Sequence, residues 1–288
     1  MRSLLSYLVA RLTVFTMAVV PAFVHADQST VAQIGNTTQS ASVNLTAIPI
    51  PPLMKAAFGN SYRERTQDAV VALSDIDNRS LRKRYVVQPI DAKLIDQEQA
   101  VLVLNGQIAD RHDGVFSSHA QAGLLTIIFF KRHNEQWQVV KRQENIAALG
   151  SFGSIGDVKW TMLGQTTPGL LVLHGNTGQG YSFTQLAIFD LTASQMTDLS
   201  GEPILIHSDN DGMCDRQRHD CWDVSANWQF VSTNKNKSHD DLILSFSGFK
   251  PAPDKNGTRT IEVKQTARYT FDGKSYRLIQ GNNPVPPV

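Results

Sequence analysis

The chain has 288 residues, 41% of them hydrophobic and 18% charged, with 27 Lys and Arg against 26 Asp and Glu. That composition is globular, and its length suffices to bury a sizeable core. So balanced a charge excludes the usual polyanion binder, which gathers Lys and Arg on one face; here Arg63, Arg65, Arg79, Arg82, Lys83 and Arg84 alternate with acids or stay within one short segment.

Residues 1–26 read as a signal peptide. Arg2 and Arg11 flank a short apolar start, Leu12 to Phe23 form an apolar run, and Val24-His25-Ala26 supplies the residues a signal peptidase reads, so cleavage is expected after Ala26. No cysteine lies near that point to take a lipid, and no later stretch is long and apolar enough to span a bilayer. The expected location is periplasmic or secreted.

Residues 27–58 are rich in Ser, Thr, Asn and Gln and end in alternating prolines, which predicts an extended or disordered leader. In "NSYRERTQDAVVALSD", Asn60 or Ser61 serves as an N-cap and Tyr62, Ala69, Val70 and Leu73 fall at roughly helical spacing, which predicts one helix.

Beyond it the periodicity becomes strand-like. "VLVLNG" at 101–106, "LLVLHG" at 170–175 and "LILSFSG" at 242–248 are apolar strands stopped by glycine. Each is followed by a hairpin whose arms flank a polar turn: "LLTIIFFKRHNEQWQVV", "TQLAIFDLTASQMTDL" and "TARYTFDGKSYRLI", the last carrying the strong turn signal Asp272-Gly273. Each is preceded by a further strand, "RYVVQPI", "VKWTML" and "NWQFVS". The expectation is an all-β fold of repeated four-stranded antiparallel units, near 84–146, 152–200 and 222–280, in a single domain over 59–288 with one N-terminal helix. The units would be arranged as propeller-like blades or as an irregular β-sandwich.

"FGSIGDVKWTMLGQTTPGLLVLHG", residues 152–175, has Phe152-Gly153, then Gly156-Asp157-Val158, then an apolar strand ending in glycine, and "HDDLILSFSG", residues 239–248, places acids before such a strand. These two stretches resemble the FG-GAP repeat of integrin-type β-propellers. The resemblance implies a blade-like fold. It does not imply calcium at Asp157, because Lys159-Trp160-Thr161-Met162-Leu163 stands where that family has spaced aspartates.

The most crowded stretch is "HSDNDGMCDRQRHDCWD", residues 207–223, which holds five aspartates, two histidines and both cysteines. Cys214 and Cys221 predict a local disulfide in an oxidising compartment; zinc would need closer cysteine or histidine pairs. Asp209, Asp211, Asp215 and Asp220 offer oxygen ligands for Ca²⁺, although the EF-hand grammar fails because the twelfth position lacks its acid or the glycine comes early. The competing reading is a stapled turn whose acids and bases, Arg216 and Arg218 among them, neutralise one another.

Nucleophile-elbow, phosphate-loop and metalloprotease motifs are absent. His119 and His174 are candidate bases, and their meeting with an aspartate in one cleft would indicate a hydrolase of the envelope. His174, Tyr181 and Trp222 are candidate partner contacts, Trp222 for its place beside the cysteines. The function expected is an exported, non-catalytic interaction protein, for example an inhibitor or immunity protein engaging an envelope enzyme or toxin through its loops. The alternatives are a calcium-stabilised ligand-binding module and an envelope hydrolase.

Overall fold

The computed structural model describes residues 45–115, 117–234, 237–255 and 257–288. The expected signal peptide and residues 27–44 of the expected leader lie outside them. No helix among the described residues is long and apolar enough to cross a membrane.

The described residues form one α-helix, α1 (Ile50–Phe58), then β1 (Tyr62–Arg63), β2 (Asp68–Ser74), β3 (Arg82–Leu94), β4 (Gln99–Ile108), β5 (Gly123–His133) and β6 (Gln136–Leu149). It continues with β7 (Asp157–Gly164), β8 (Thr167–Gly178), β9 (Tyr181–Asp190), β10 (Ile204–Asp209), β11 (Asp223–Val231), β12 (Asp241–Asp254), β13 (Gly257–Phe271) and β14 (Tyr276–Gly281). β1 to β6 form a six-stranded sheet and β7 to β14 an eight-stranded one, with every strand antiparallel to its chain neighbour. The all-β class with a single helix is therefore as expected. The second and third four-stranded units do not stand apart, because β10 pairs with β11 at His207 and Ser225, Ser208 and Val224, and Asp209 and Asp223.

The near-continuous apolar runs mark strands covered on both faces. In β4, Ala100, Leu102 and Leu104 face a core with Leu53 and Met54 of α1, while Val101 and Val103 face the second sheet, where they meet Leu170, Val172, Ala187 and Phe189. Alternation of side chains across the strand sends one run into two cores. β8 and β9 repeat the device, since Leu171, Leu186 and Ile188 turn the other way into a core enclosed by the eight-stranded sheet. β12 is wet on one face: Leu242, Leu244 and Phe246 are buried, and Ser245 and Ser247 are exposed.

The helix lies nearer the N-terminus than the sequence suggested. Pro51 and Pro52 occupy the first turn, where no intrahelical N–H is required, and Leu53, Met54 and Ala57 bury one face. The stretch from Gly59 instead makes a 3₁₀ turn, β1 and β2. Ala69 and Leu73 are four apart, a spacing that fits a helix face and also a strand face, and Val71 between them packs on the same core. Pairing with β3 decides for the strand. The middle hairpin also differs: its second arm, expected near Met196, is a loop whose Leu191, Met196 and Leu199 are buried, and the strand comes later as β10.

Candidate functional site

In an up-and-down meander alternate connections emerge at the same end of the sheet. The β4–β5, β6–β7, β8–β9 and β10–β11 connections share one end, and there the loops of the two sheets meet. Asn105, buried at the end of β4, donates to Gly153 O at 2.8 Å and accepts from Ile155 N at 3.1 Å, so the first sheet grips the β6–β7 turn. Gly153 N donates to Gln121 O at 2.7 Å. His119 of the β4–β5 loop bonds Thr177 O through Nε2 at 3.1 Å and meets the edge of Phe152 with ring centroids 5.2 Å apart.

The β8–β9 turn is fastened in the same way to the β10–β11 loop. Gly212 N donates to Gly180 O at 3.1 Å. Gly180 has φ of +83°, and a Cβ there would lie 2.3 Å from Met213 Cγ, so both its backbone region and the approach of the loops require glycine. Tyr181 and Trp222 face one another with centroids 5.8 Å apart. Between these loops is a cleft of about 420 Å³ lined by His119, Asn176, Gly178, Gln179, Tyr181, Phe183 and Val288. The side-chain oxygen of Asn176 is shut off from solvent and has no hydrogen-bond partner.

Residues 207–223 form a braced loop. Cys214 and Cys221 are joined in a disulfide with Cα atoms 4.9 Å apart. Buried Asn210 is the hub: its carbonyl accepts from Met213 N at 2.9 Å and Cys214 N at 3.0 Å, its side chain donates to Asp220 O at 3.0 Å, and it accepts from Trp222 N at 2.8 Å. Trp222 Nε1 donates to Ser208 Oγ at 2.8 Å, which fixes the indole on the rim.

Of the four aspartates considered as calcium ligands, Asp209, Asp215 and Asp220 use their carboxylates in this bracing, and Asp211 is exposed. Asp215 accepts from Gln217 N at 2.9 Å and pairs with Arg218 at 3.2 Å. Asp220 accepts from Asp215 N at 2.7 Å, and Asp209 accepts from Asp211 N at 3.3 Å while lying 3.7 Å from His207. Among the described residues, the group whose ligand atoms converge within 4.8 Å is Cys214, Cys221 and Asp220, and its two sulfurs are already bonded to each other. His207 stands 3.3 Å from Asp223 across the β10–β11 rungs, between two acids that are directly opposed in the ladder.

Of the other residues singled out, Tyr181 and Trp222 come together and His119 lines the cleft. His174 does not line it; its Nδ1 accepts from Gly150 N at 3.4 Å, and burial pushes its pKa down despite the pull of Asp198. A Ser, His and Asp succession that the sequence did not single out lies on the second sheet. Ser238 Oγ is 3.0 Å from His239 Nδ1, and His239 Nε2 is 3.5 Å from Asp190 Oδ2. The imidazole is buried and stacked on Phe271 at 4.1 Å, so these contacts tie β9 to the β11–β12 turn. No signal within residues 237–241 announces them, because Asp190 is far away in the chain.

No protein-family model, curated protein or solved structure matches the chain.

Proposed function

We propose that the protein is an exported, non-catalytic interaction module that holds a protein partner against the loop end of its sandwich, in the manner of an inhibitor or immunity protein. The observation that carries this reading is the convergence of four loops from two sheets into one fastened surface that still leaves large apolar side chains in water. Phe152, against the ring of the cleft residue His119, is 52% exposed, and Met213, beside Gly180 of the β8–β9 turn, is 61% exposed. A loop already fixed by a disulfide and by the Asn210 hub loses little freedom on binding, which is how a preformed contact surface gains affinity. Aromatic and methionine side chains around a cleft are the residue types that anchor protein interfaces. Export agrees with the disulfide, which persists in oxidising compartments.

The test is comparative capture from envelope extract with the wild-type chain and with a Phe152→Ser, Met213→Ser double variant of equal Tm. A partner held by the wild type and released by the double variant supports the reading. Equal retention by both chains, or retention by neither, rejects it. The Cys214→Ser, Cys221→Ser pair adds a second arm: losing the staple costs about 2–3 kcal/mol of stability, read from denaturant midpoints, and weakens capture because the loop must be ordered on binding.

A further inference from the structure

The six-stranded sheet ends in two open edges that face one another across a slot. β1 pairs only with Asp68 and Ala69, so among the described residues no strand covers the outer side of β2 from Val70 to Ser74, and β6 is the last strand of its sheet. Ser74 points its backbone away from β3: its N–H donates to Glu144 Oε2 at 2.9 Å and its C=O accepts from Asn145 Nδ2 at 2.9 Å. Strand alternation places the N–H and C=O of Val70 and Ala72 on the same outer side.

That side opens on a cavity of about 520 Å³ bordered by Val70, Ala72, Phe58, Arg82, Arg142 and Glu144. A second cavity of about 330 Å³ continues it past Arg79, Arg142 and Glu144. Three guanidinium groups therefore surround a single carboxylate. Each guanidinium has five donors, and few are used: Arg79 donates to Glu144 O at 2.6 Å, Arg142 to Ala57 O, and Arg82 to Ala72 O and to Glu144 Oε2 at 3.3 Å. The nearby Lys83 and Arg84 are not part of this excess, being paired with Asp75 and Asp113.

We propose that this slot is a strand-addition site for an extended acidic segment of a partner protein. The segment lies along the outer edge of β2, exchanges main-chain hydrogen bonds with Val70 and Ala72, displaces Arg82 from the Ala72 carbonyl, and places carboxylates on Arg79 and Arg142. Added strands take affinity from the ladder and selectivity from the flanking side chains, and here those side chains are cationic. Five edge residues span about 16 Å at roughly 3.3 Å per residue, enough for a short strand.

The test uses the full chain and two labelled peptides, one alternating Glu and Val and one alternating Lys and Val, with amide exchange read at Val70 and Ala72. The Glu peptide binds, more weakly as salt rises, and slows exchange at both amides; the Lys peptide does not bind. Arg79→Gln weakens binding about three- to fivefold, as loss of one exposed charge contact does. Ala72→Pro removes an edge donor that faces away from β3, a place where proline is tolerated, and abolishes binding. Equal binding of both peptides, or affinity unchanged in Arg79→Gln, overturns the proposal whether or not Ala72→Pro folds. So does a free chain whose Val70 and Ala72 amides are already as protected as those of β3, because the edge is then covered by this chain or a second copy.

Discussion

Where β7 meets the β11–β12 turn, Asp240 N donates to Leu163 O at 2.5 Å, Thr167 Oγ1 donates to Ser238 O at 3.1 Å, and His239 reaches Asp190 under the ring of Phe271. Where β2 faces β6, the gap is crossed instead by side chains, the buried Asn145 and part-buried Glu144 together with the exposed Arg79 and Arg82. In the eight-stranded sheet the edge strand β7 is fastened to the β11–β12 turn by backbone bonds and buried groups, while in the six-stranded sheet β2 and β6 are bridged by side chains. A buried polar group must be satisfied or it destabilises the fold strongly, whereas an exposed ion pair contributes little. The first seam and the buried Asn145 of the second therefore hold the protein together, and the exposed arginine contacts of the second can be exchanged for a ligand.

The comparison is tested first at Asp241, whose carboxylate is fully buried and accepts from Thr233 at 2.8 Å, Lys237 at 3.1 Å, Arg268 at 2.9 Å and Thr270 at 2.5 Å. Asp241→Asn leaves two cations without their counter-charge and lowers stability by about 3 kcal/mol, toward the low end for a broken buried pair because Lys237 and Arg268 reach solvent. Denaturant midpoints check it, and a loss below about 1 kcal/mol would erase the distinction between the seams.

Acid acts next. Burial alone would raise the pKa of Asp190 and Asp241, but the nearby His239 and hydrogen bonds from Thr192 at the first, and hydrogen bonds from Thr270, Arg268, Thr233 and Lys237 at the second, outweigh it and hold both below the usual carboxylate range. Carboxylates depressed in the folded state contribute stability above the unfolded value near 3.9 and lose it as pH falls through the folded one. Below about pH 4, hydrogen exchange quickens at Leu163, Asp240 and Leu242 before it quickens at β4.

The smallest effect belongs to Glu144. Glu144→Gln keeps an acceptor for Ser74 and gives up only the charge opposite a half-exposed Arg82, so stability changes by less than about 1 kcal/mol. The same substitution leaves the three arginines of the slot unopposed and tightens binding of the acidic peptide.

Much of this was legible in the chain and some was not, for physical reasons. β4 and β8 are legible because runs covered on both faces are apolar at successive positions, β12 because Leu242, Leu244 and Phe246 fall on one face with Ser245 and Ser247 on the other, and the Asp272-Gly273 turn because few residues accept its backbone. Cys214 and Cys221 needed no more than their spacing. The helix escaped because Pro51 and Pro52 look like breakers unless they are known to sit in its first turn. β2 was mistaken for a helix because Ala69 and Leu73 satisfy both periods. At the loop end, Tyr181 and Trp222 were found from their residue type, while Phe152 and Met213 carry no signal short of the tertiary contacts that leave them in water. The Asp190, His239 and Asp241 seam joins residues whose partnership no local pattern encodes.

The strand order has a kinetic corollary. Every ladder is built from segments adjacent in the chain, so each hairpin assembles as soon as its second arm is available and pays a small loop-closure entropy. Contacts between distant segments, such as Ser74 with Glu144, Thr167 with Ser238 and Ser208 with Pro286, must wait for some 70 to 78 further residues. A chain that becomes available from its N-terminus thus acquires its sheets progressively, and the bond from Ser208 to Pro286 is among the last to form.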